Sequence, residues 1–103
     1  MYFKKRKNAA AAHFVSIGAG ENQVPLIAEA VGLGYQIIAV DRNPLAPGAS
    51  LSNLKIIESV ENHVEIFRHL QEPLIYGEIA GVLTKSYGNA VKTACFIAER
   101  INK

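Results

Sequence analysis

The sequence is poor in cysteine, since Cys95 is the only one among 103 residues. An intrachain disulfide is therefore excluded, and this usage favours a reducing, cytoplasmic environment. The apolar neighbours of Cys95 in a helical segment predict that its thiol packs in the core and is not a nucleophile. The histidines, His13, His63 and His69, do not have the spacing of a metal site, so no metal is expected.

Long apolar runs are also lacking, because every uninterrupted stretch stays far below the about 18 residues of a membrane-spanning helix. No membrane partner is therefore expected. Charged residues make up 19% of the chain and hydrophobic residues 50%. In a chain of single-domain length, this balance predicts one core and some apolar surface that another domain or a second copy of the chain would cover.

The positive charge is concentrated near the N-terminus. Residues 4–7 are all basic, and the rest of the chain has seven basic against nine acidic side chains. We therefore interpret residues 1–12 as a basic arm and residues 13–103 as one weakly acidic domain. The basic run has no interleaved aromatics and no wider basic face, so a solvated arm is favoured over a nucleic-acid partner.

The domain alternates between strand-like and helix-like segments. Short β-branched or apolar runs predict strands at 13–17, 36–41, 54–57 and 78–84. Apolar residues at helical spacing predict helices at 24–31, 60–72 and 90–101. This alternation predicts an α/β fold, a Rossmann-like three-layer sandwich with a four-stranded parallel sheet in the order 3-2-1-4.

In such a sheet, ligands bind beyond the carboxyl ends of the strands, where the strand order reverses. Three loops meet there, at 18–23, 41–47 and 84–89. The candidate substrate-binding residues in these loops are Gly18, Gly20, Glu21, Asn22, Gln23, Asp41, Arg42, Asn43, Lys85 and Ser86. No residue of the chain is assigned a catalytic role.

The glycine-rich turn at 18–23 would let backbone amides approach a ligand. The helix that follows it presents free N–H groups and the positive end of its dipole, which favour an anion or a polar substrate group. The turn departs from the dinucleotide-binding GxGxxG pattern because Gln23 stands at the third glycine position, although Asp41 lies where a ribose-binding acid is expected. A nicotinamide-dinucleotide module is therefore kept as an alternative.

Each charged candidate has two interpretations. Glu21 binds a substrate amine or hydroxyl, or it stabilises the first turn of a helix. Asp41 accepts hydrogen bonds from a ribose or from nearby loop amides. Arg42 faces a phosphate or carboxylate, or it pairs with Asp41. Lys85 contacts an anionic substrate group as a point charge, or it is simply solvated.

Segments 18–48 and 81–101 together resemble the N-terminal, pre-ATP-grasp domain of ATP-grasp enzymes. Similar segments open formate-dependent phosphoribosylglycinamide formyltransferase, the ATPase subunit of phosphoribosylaminoimidazole carboxylase, biotin carboxylase and carbamoyl phosphate synthase. The most specific parts are the glycine turn followed by Glu21 and the loop VDRNPLAPG at 40–48. The resemblance implies that Gly20 and Glu21 face substrate and not ATP. The relatives often have Leu-Gly where this chain has Asn22-Gln23, which leaves the substrate open.

The resemblance further implies a ligase that activates a carboxylate with ATP and magnesium so that an amine or similar nucleophile can attack. In that family the nucleotide-binding and magnesium-binding residues belong to later domains, so this domain alone is expected to bind no cofactor. The chain is therefore expected to be inactive by itself and to work with the remaining ATP-grasp domains, in the same or a separate chain. A noncatalytic regulatory or scaffold domain is a third hypothesis.

Overall fold

The computed structural model describes residues 12–71, 78–85 and 88–101. Residues 1–11 of the predicted arm and the candidate site residue Ser86 lie outside these ranges. The helices and strands, in chain order, are β1 (Ala12–Ile17), α1 (Val24–Gly32), β2 (Gln36–Val40), β3 (Leu54–Ile56), α2 (His63–Leu70), β4 (Glu78–Leu83) and α3 (Asn89–Ile101), with 3₁₀ turns at Glu21–Gln23 and Pro47–Leu51.

All four strands are parallel and form one sheet in the order β3-β2-β1-β4. In the centre of the sheet, Val15 lies between Ile38 of β2 and Val82 of β4. The predicted α/β class and strand order are therefore confirmed. The order reverses between β1 and β4, and loops that follow these strands diverge to leave room for a ligand at their carboxyl ends.

The sheet is covered on both faces because its central strands are apolar at nearly every position. On one face Phe14 belongs to a buried cluster with Ile27 of α1. On the other face Val15 belongs to a cluster with Ile66 of α2 and Ile97 of α3. Burying each of these large side chains contributes about 1.5–3 kcal/mol. The result is the predicted three-layer sandwich, with α1 on one side and α2 and α3 on the other.

An extra residue in β4 shifts its register against β1. His13 pairs with Ile79, but Phe14 pairs with Gly81, so Ala80 is left over as a bulge. The ring of Phe14 occupies the space where a side chain at Gly81 would project, since a Cβ there would lie 2.5 Å from Phe14 Cε1. Close packing of an aromatic ring explains the glycine at this position.

The start of α2 differs from the prediction. The helix begins at His63 and not at Val60, because Asn62 has a non-helical backbone with φ −85° and ψ 61°. Ile66 and Leu70 are buried, whereas Val64 is 59% exposed. The later start moves Val60 into the loop before α2.

The prediction that Cys95 packs in the core is wrong, because its side chain is exposed. The buried face of α3 is formed by Ala90, Thr93 and Ile97, which are separated by three and four residues. Cys95 lies midway between the last two along the chain, and this places it on the opposite side of the helix. None of the helices within residues 12–71, 78–85 and 88–101 could span a membrane.

Candidate functional site

The glycine turn after β1 depends on the freedom of Gly18. Its φ of +95° is a left-handed conformation that a side chain would disfavour. The turn is fixed to the sheet, because the amide of Gly18 donates to Val40 O at 2.8 Å and the hydroxyl of Ser16 donates to Gly18 O at 2.7 Å. The chain then enters the 3₁₀ turn at Glu21–Gln23, which continues directly into α1.

The loop after β2 holds the glycine turn from one side. The amide of Ala19 donates to Asp41 Oδ2 at 3.0 Å, and the amide of Asn43 donates to Asp41 Oδ1 at 2.9 Å. Ala19 O accepts a hydrogen bond from Gly48 N at 2.6 Å. Asn43 in turn shapes the loop, because its Oδ1 accepts from Leu45 N at 3.0 Å. Asp41 therefore makes the predicted contact with loop amides, and its contact with a ribose stays a prediction.

Gln23 holds the turn from the other side. Its side chain is buried, and its Oε1 accepts a hydrogen bond from Lys85 N at 2.9 Å. The same side chain packs on Gly18, where an added Cβ would lie 3.5 Å from Gln23 Nε2. Next to it, the Thr84 hydroxyl donates to Ile17 O at 2.9 Å. Gln23 therefore connects the turn to the end of β4, a role that a third glycine could not take.

A cleft of about 320 Å³ opens beside this turn, and we refer to it as the glycine-turn cleft. Its lining residues are Ile17, Gly18, Gly20, Glu21, Asn22, Gln23, Val60, Lys85 and Ala90. Six of the predicted residues are thus brought together at the carboxyl ends of β1 and β4. The side chains of Glu21, Asn22 and Lys85 are exposed, so they are available to a ligand.

The two other charged candidates, Asp41 and Arg42, lie apart from this group, in a second cleft of about 290 Å³. It is lined by Asp41, Arg42, Ser59, Val60 and Glu61. Within the described ranges no ion pair joins Arg42 to Asp41, so the predicted alternative of a simple pair is not observed. Asn43 belongs to neither lining and acts on loop shape instead.

Val60 lines both clefts, and the sequence did not identify it as a site residue. Its carbonyl oxygen accepts a hydrogen bond from the hydroxyl of Thr93, a buried residue of α3. Glu58 lies in the same loop before α2, and a hydrogen bond from Asn62 is the main reason why its pKa is lowered, with His69 adding to the shift. No local pattern in the sequence marks Val60 as a site residue, because the apolar periodicity predicts that it belongs to a helix.

The glycine-turn cleft carries charges of both signs. Glu21 supplies a carboxylate and Lys85 an ammonium group. The first turn before α1 adds a positive dipole end and the N–H groups of Glu21 and Asn22, whereas the N–H of Gln23 donates to Gly20 O. A carboxylate accepts hydrogen bonds from amines and hydroxyls, whereas an ammonium group and helix amides attract phosphate or carboxylate. This arrangement therefore suits a small ligand that has an anionic group at one end and hydroxyl or amine groups at the other.

No protein-family model matches the chain, and no curated protein matches it in sequence. Solved structures do match its fold. Phosphoribosylglycinamide synthetase from Anaerococcus prevotii has a TM-score of 0.71 and 22% identity, over 88% of this chain and 22% of that one. The chain shares the fold of part of this enzyme. It spans about a fifth of the enzyme's length.

Two structures of N5-carboxyaminoimidazole ribonucleotide synthetase match in the same way. An ADP complex has a TM-score of 0.65 at 17% identity, over 89% of this chain and 22% of that one. The enzyme from Thermotoga maritima has a TM-score of 0.61 at 16% identity, over 81% of this chain and 21% of its own. These neighbours agree with the resemblance to the ATP-grasp enzymes found in the sequence, and all of them are longer chains.

Proposed function

We propose that this chain is the N-terminal, substrate-side domain of an ATP-dependent ligase of the ATP-grasp type. The observation that carries the proposal is the meeting of Glu21, Lys85 and the first turn before α1 in one cleft at the reversal of strand order. Support also comes from the fold, which is shared with three synthetase structures. Their names refer to phosphoribosyl or ribonucleotide compounds, which contain a phosphorylated ribose.

The substrate class that fits the glycine-turn cleft is a phosphorylated ribose with an amine. The volume of about 320 Å³ falls at the lower end of the range for small-molecule sites. Lys85 and the amides of the first turn would hold the phosphate, and Glu21 would accept hydrogen bonds from the amine or a hydroxyl. Gly20 lines the cleft beside open space, since an added Cβ there would have no heavy atom within 4 Å.

The chain supplies one part of the active site. Because it spans about a fifth of the length of the synthetases it matches, the residues that bind ATP and magnesium are assigned to the remaining domains of the enzyme. Binding energy from this domain would position the substrate against an acyl phosphate formed elsewhere, and positioning of this kind accounts for a large share of catalysis in two-substrate reactions.

Two contacts make the dinucleotide alternative less favourable. The buried side chain of Gln23 fills the space beside Gly18 that a third glycine would leave open for close approach. Asp41 uses both of its carboxylate oxygens on the amides of Ala19 and Asn43. A ribose would have to compete with these bonds or share the remaining lone pairs.

Calorimetry on the purified chain tests the proposal, with ribose 5-phosphate and NAD as separate titrants. Glu21→Gln and Lys85→Met each remove one charge at nearly constant length, and we expect each to weaken ribose 5-phosphate binding about tenfold, as expected for one charge-assisted hydrogen bond. Glu29→Gln is the matched control, because Glu29 is exposed on α1 and lies outside the cleft lining. Saturable NAD binding without ribose 5-phosphate binding would contradict the proposal, as would equal affinities in all four proteins.

A further inference from the structure

Thr93 is a buried polar residue that lines neither cleft. Its side chain is 1% exposed and lies on the inward face of α3 between Ala90 and Ile97. A threonine inside a helix commonly bonds the carbonyl of its own preceding turn. Here the hydroxyl instead donates across to Val60 O, in the loop between β3 and α2.

This loop forms the wall between the two clefts. Other hydrogen bonds of the loop, within the described residues, join positions close in sequence; examples are Glu58 N to Ile56 O, Asn62 N to Ser59 O, and the Asn62 side chain to Glu58. They give the loop its local shape but do not attach it to α3. The Val60 side chain packs on the cluster that contains Ala90 and Ile97 of α3, and the Thr93 hydroxyl adds a hydrogen bond from α3 to the backbone of this same residue, which lines both clefts.

We propose that Thr93 is a positioning residue of the ligand site, which acts through Val60 although it lines neither cleft. The inference rests on the proposed function, since it concerns the same glycine-turn cleft. Without the hydroxyl, the carbonyl of Val60 loses its donor in a partly buried position, and the loop can satisfy it by moving toward water. Such a movement changes the wall opposite Glu21 and the wall opposite Arg42 together.

Two variants separate the hydroxyl from the rest of the side chain. Thr93→Val keeps the β-branched shape and the helix preference and removes only the donor. Thr93→Ser keeps the donor and removes a methyl group. We compare them with the unmodified chain by hydrogen exchange of residues 58–62 without ligand, and by the dissociation constant of ribose 5-phosphate. Urea unfolding of each variant identifies any general loss of stability.

A positioning role predicts faster exchange at 58–62 and about fivefold weaker ribose 5-phosphate binding in Thr93→Val. Thr93→Ser should match the unmodified chain in both measurements, even if its unfolding midpoint falls. Unchanged exchange at 58–62 in Thr93→Val would overturn the inference, whatever the ligand does. Equal ribose 5-phosphate affinity of Thr93→Val and the unmodified chain would also overturn the inference, while the proposed function would stand. If the unmodified chain binds no ribose 5-phosphate, the proposed function fails and the exchange result alone decides the role of Thr93.

Discussion

Replacing Gly48 by alanine should destabilise the fold by forcing the loop at 41–48 away from the glycine turn. The new Cβ would lie 2.7 Å from Ile27 Cδ1 and 2.9 Å from Ala19 O. The isoleucine methyl can rotate, but the carbonyl oxygen of Ala19 belongs to a backbone that is held by Asp41 on its amide side. The loop must therefore move, and the 2.6 Å hydrogen bond from Gly48 N to Ala19 O is strained or lost.

The magnitude follows from these two contacts. Overpacking by one methyl group costs about 1–3 kcal/mol, and a lost backbone hydrogen bond costs about 0.5–1.5 kcal/mol. We expect the free energy of unfolding to fall by about 2–4 kcal/mol, which is a large part of the about 5–15 kcal/mol available to a domain. In a domain of this size, each kcal/mol lowers the melting temperature by about 4–8 °C.

Urea unfolding followed by far-ultraviolet circular dichroism measures this change, because the chain has no tryptophan to report by fluorescence. Gly20→Ala is the matched control, since Gly20 lies in the same turn with φ −70° and an added Cβ meets no atom within 4 Å. The control should be as stable as the unmodified chain or slightly more stable. Equal stability of Gly48→Ala and Gly20→Ala would refute the described contact between the loop and the turn.

Three further substitutions test other contacts. Gly81→Ala places a Cβ 2.5 Å from the Phe14 ring, so unfolding in urea should show a loss of about 1–3 kcal/mol. Gln23→Leu keeps the volume but removes the acceptor for the amide at the end of β4, and the same measurement should show a loss of about 1–3 kcal/mol. Glu58→Gln tests pH dependence. Because the hydrogen bond from Asn62 lowers the pKa of Glu58, its contribution to stability is present at neutral pH and is lost as the pH falls through that lowered pKa.

Each of these predictions has an opposite outcome. A stable Gly81→Ala would mean that the ring of Phe14 does not cover β4. If Gln23→Leu unfolds at the same urea concentration as the unmodified chain, Gln23 does not link the turn to β4. For Glu58, the urea midpoints of Glu58→Gln and the unmodified chain should differ at neutral pH and converge in acid; a difference that grows in acid would contradict the lowered pKa.

The fold could be predicted because its determinants are local or nearly so. β1 and β2 are apolar on both faces, which fits only a sheet covered by helices on each side, and the connections are long enough for parallel crossovers. The position of the site followed from the same topology. The buried face of α3 could be predicted only in part, because the apolar residues Val91 and Cys95 lie beside Ala90 and Ile97 in the sequence and the pattern does not exclude them.

The finer roles within the site depend on contacts between distant residues. The bond from Lys85 N to Gln23 spans 62 positions and that from Thr93 to Val60 spans 33. Sequence spacing carries no information about such pairs, so the sequence predicts a direct substrate contact for Gln23 and gives no signal for Thr93. The sequence leaves two interpretations of Asp41 open, and the geometry shows its contacts with the amides of Ala19 and Asn43, while a ribose contact stays a prediction.

The central claim is that the glycine-turn cleft holds a phosphorylated ribose, and nuclear magnetic resonance of the ¹⁵N-labelled chain tests it most directly. Titration with ribose 5-phosphate should shift the amide signals of residues 18–23 and Lys85 in a saturable way, with inorganic phosphate as a weaker control. Shifts confined to the basic residues 4–7 would mean that only unspecific charge attraction occurs. That result, or stronger binding of NAD at residues 18–23, would contradict the account.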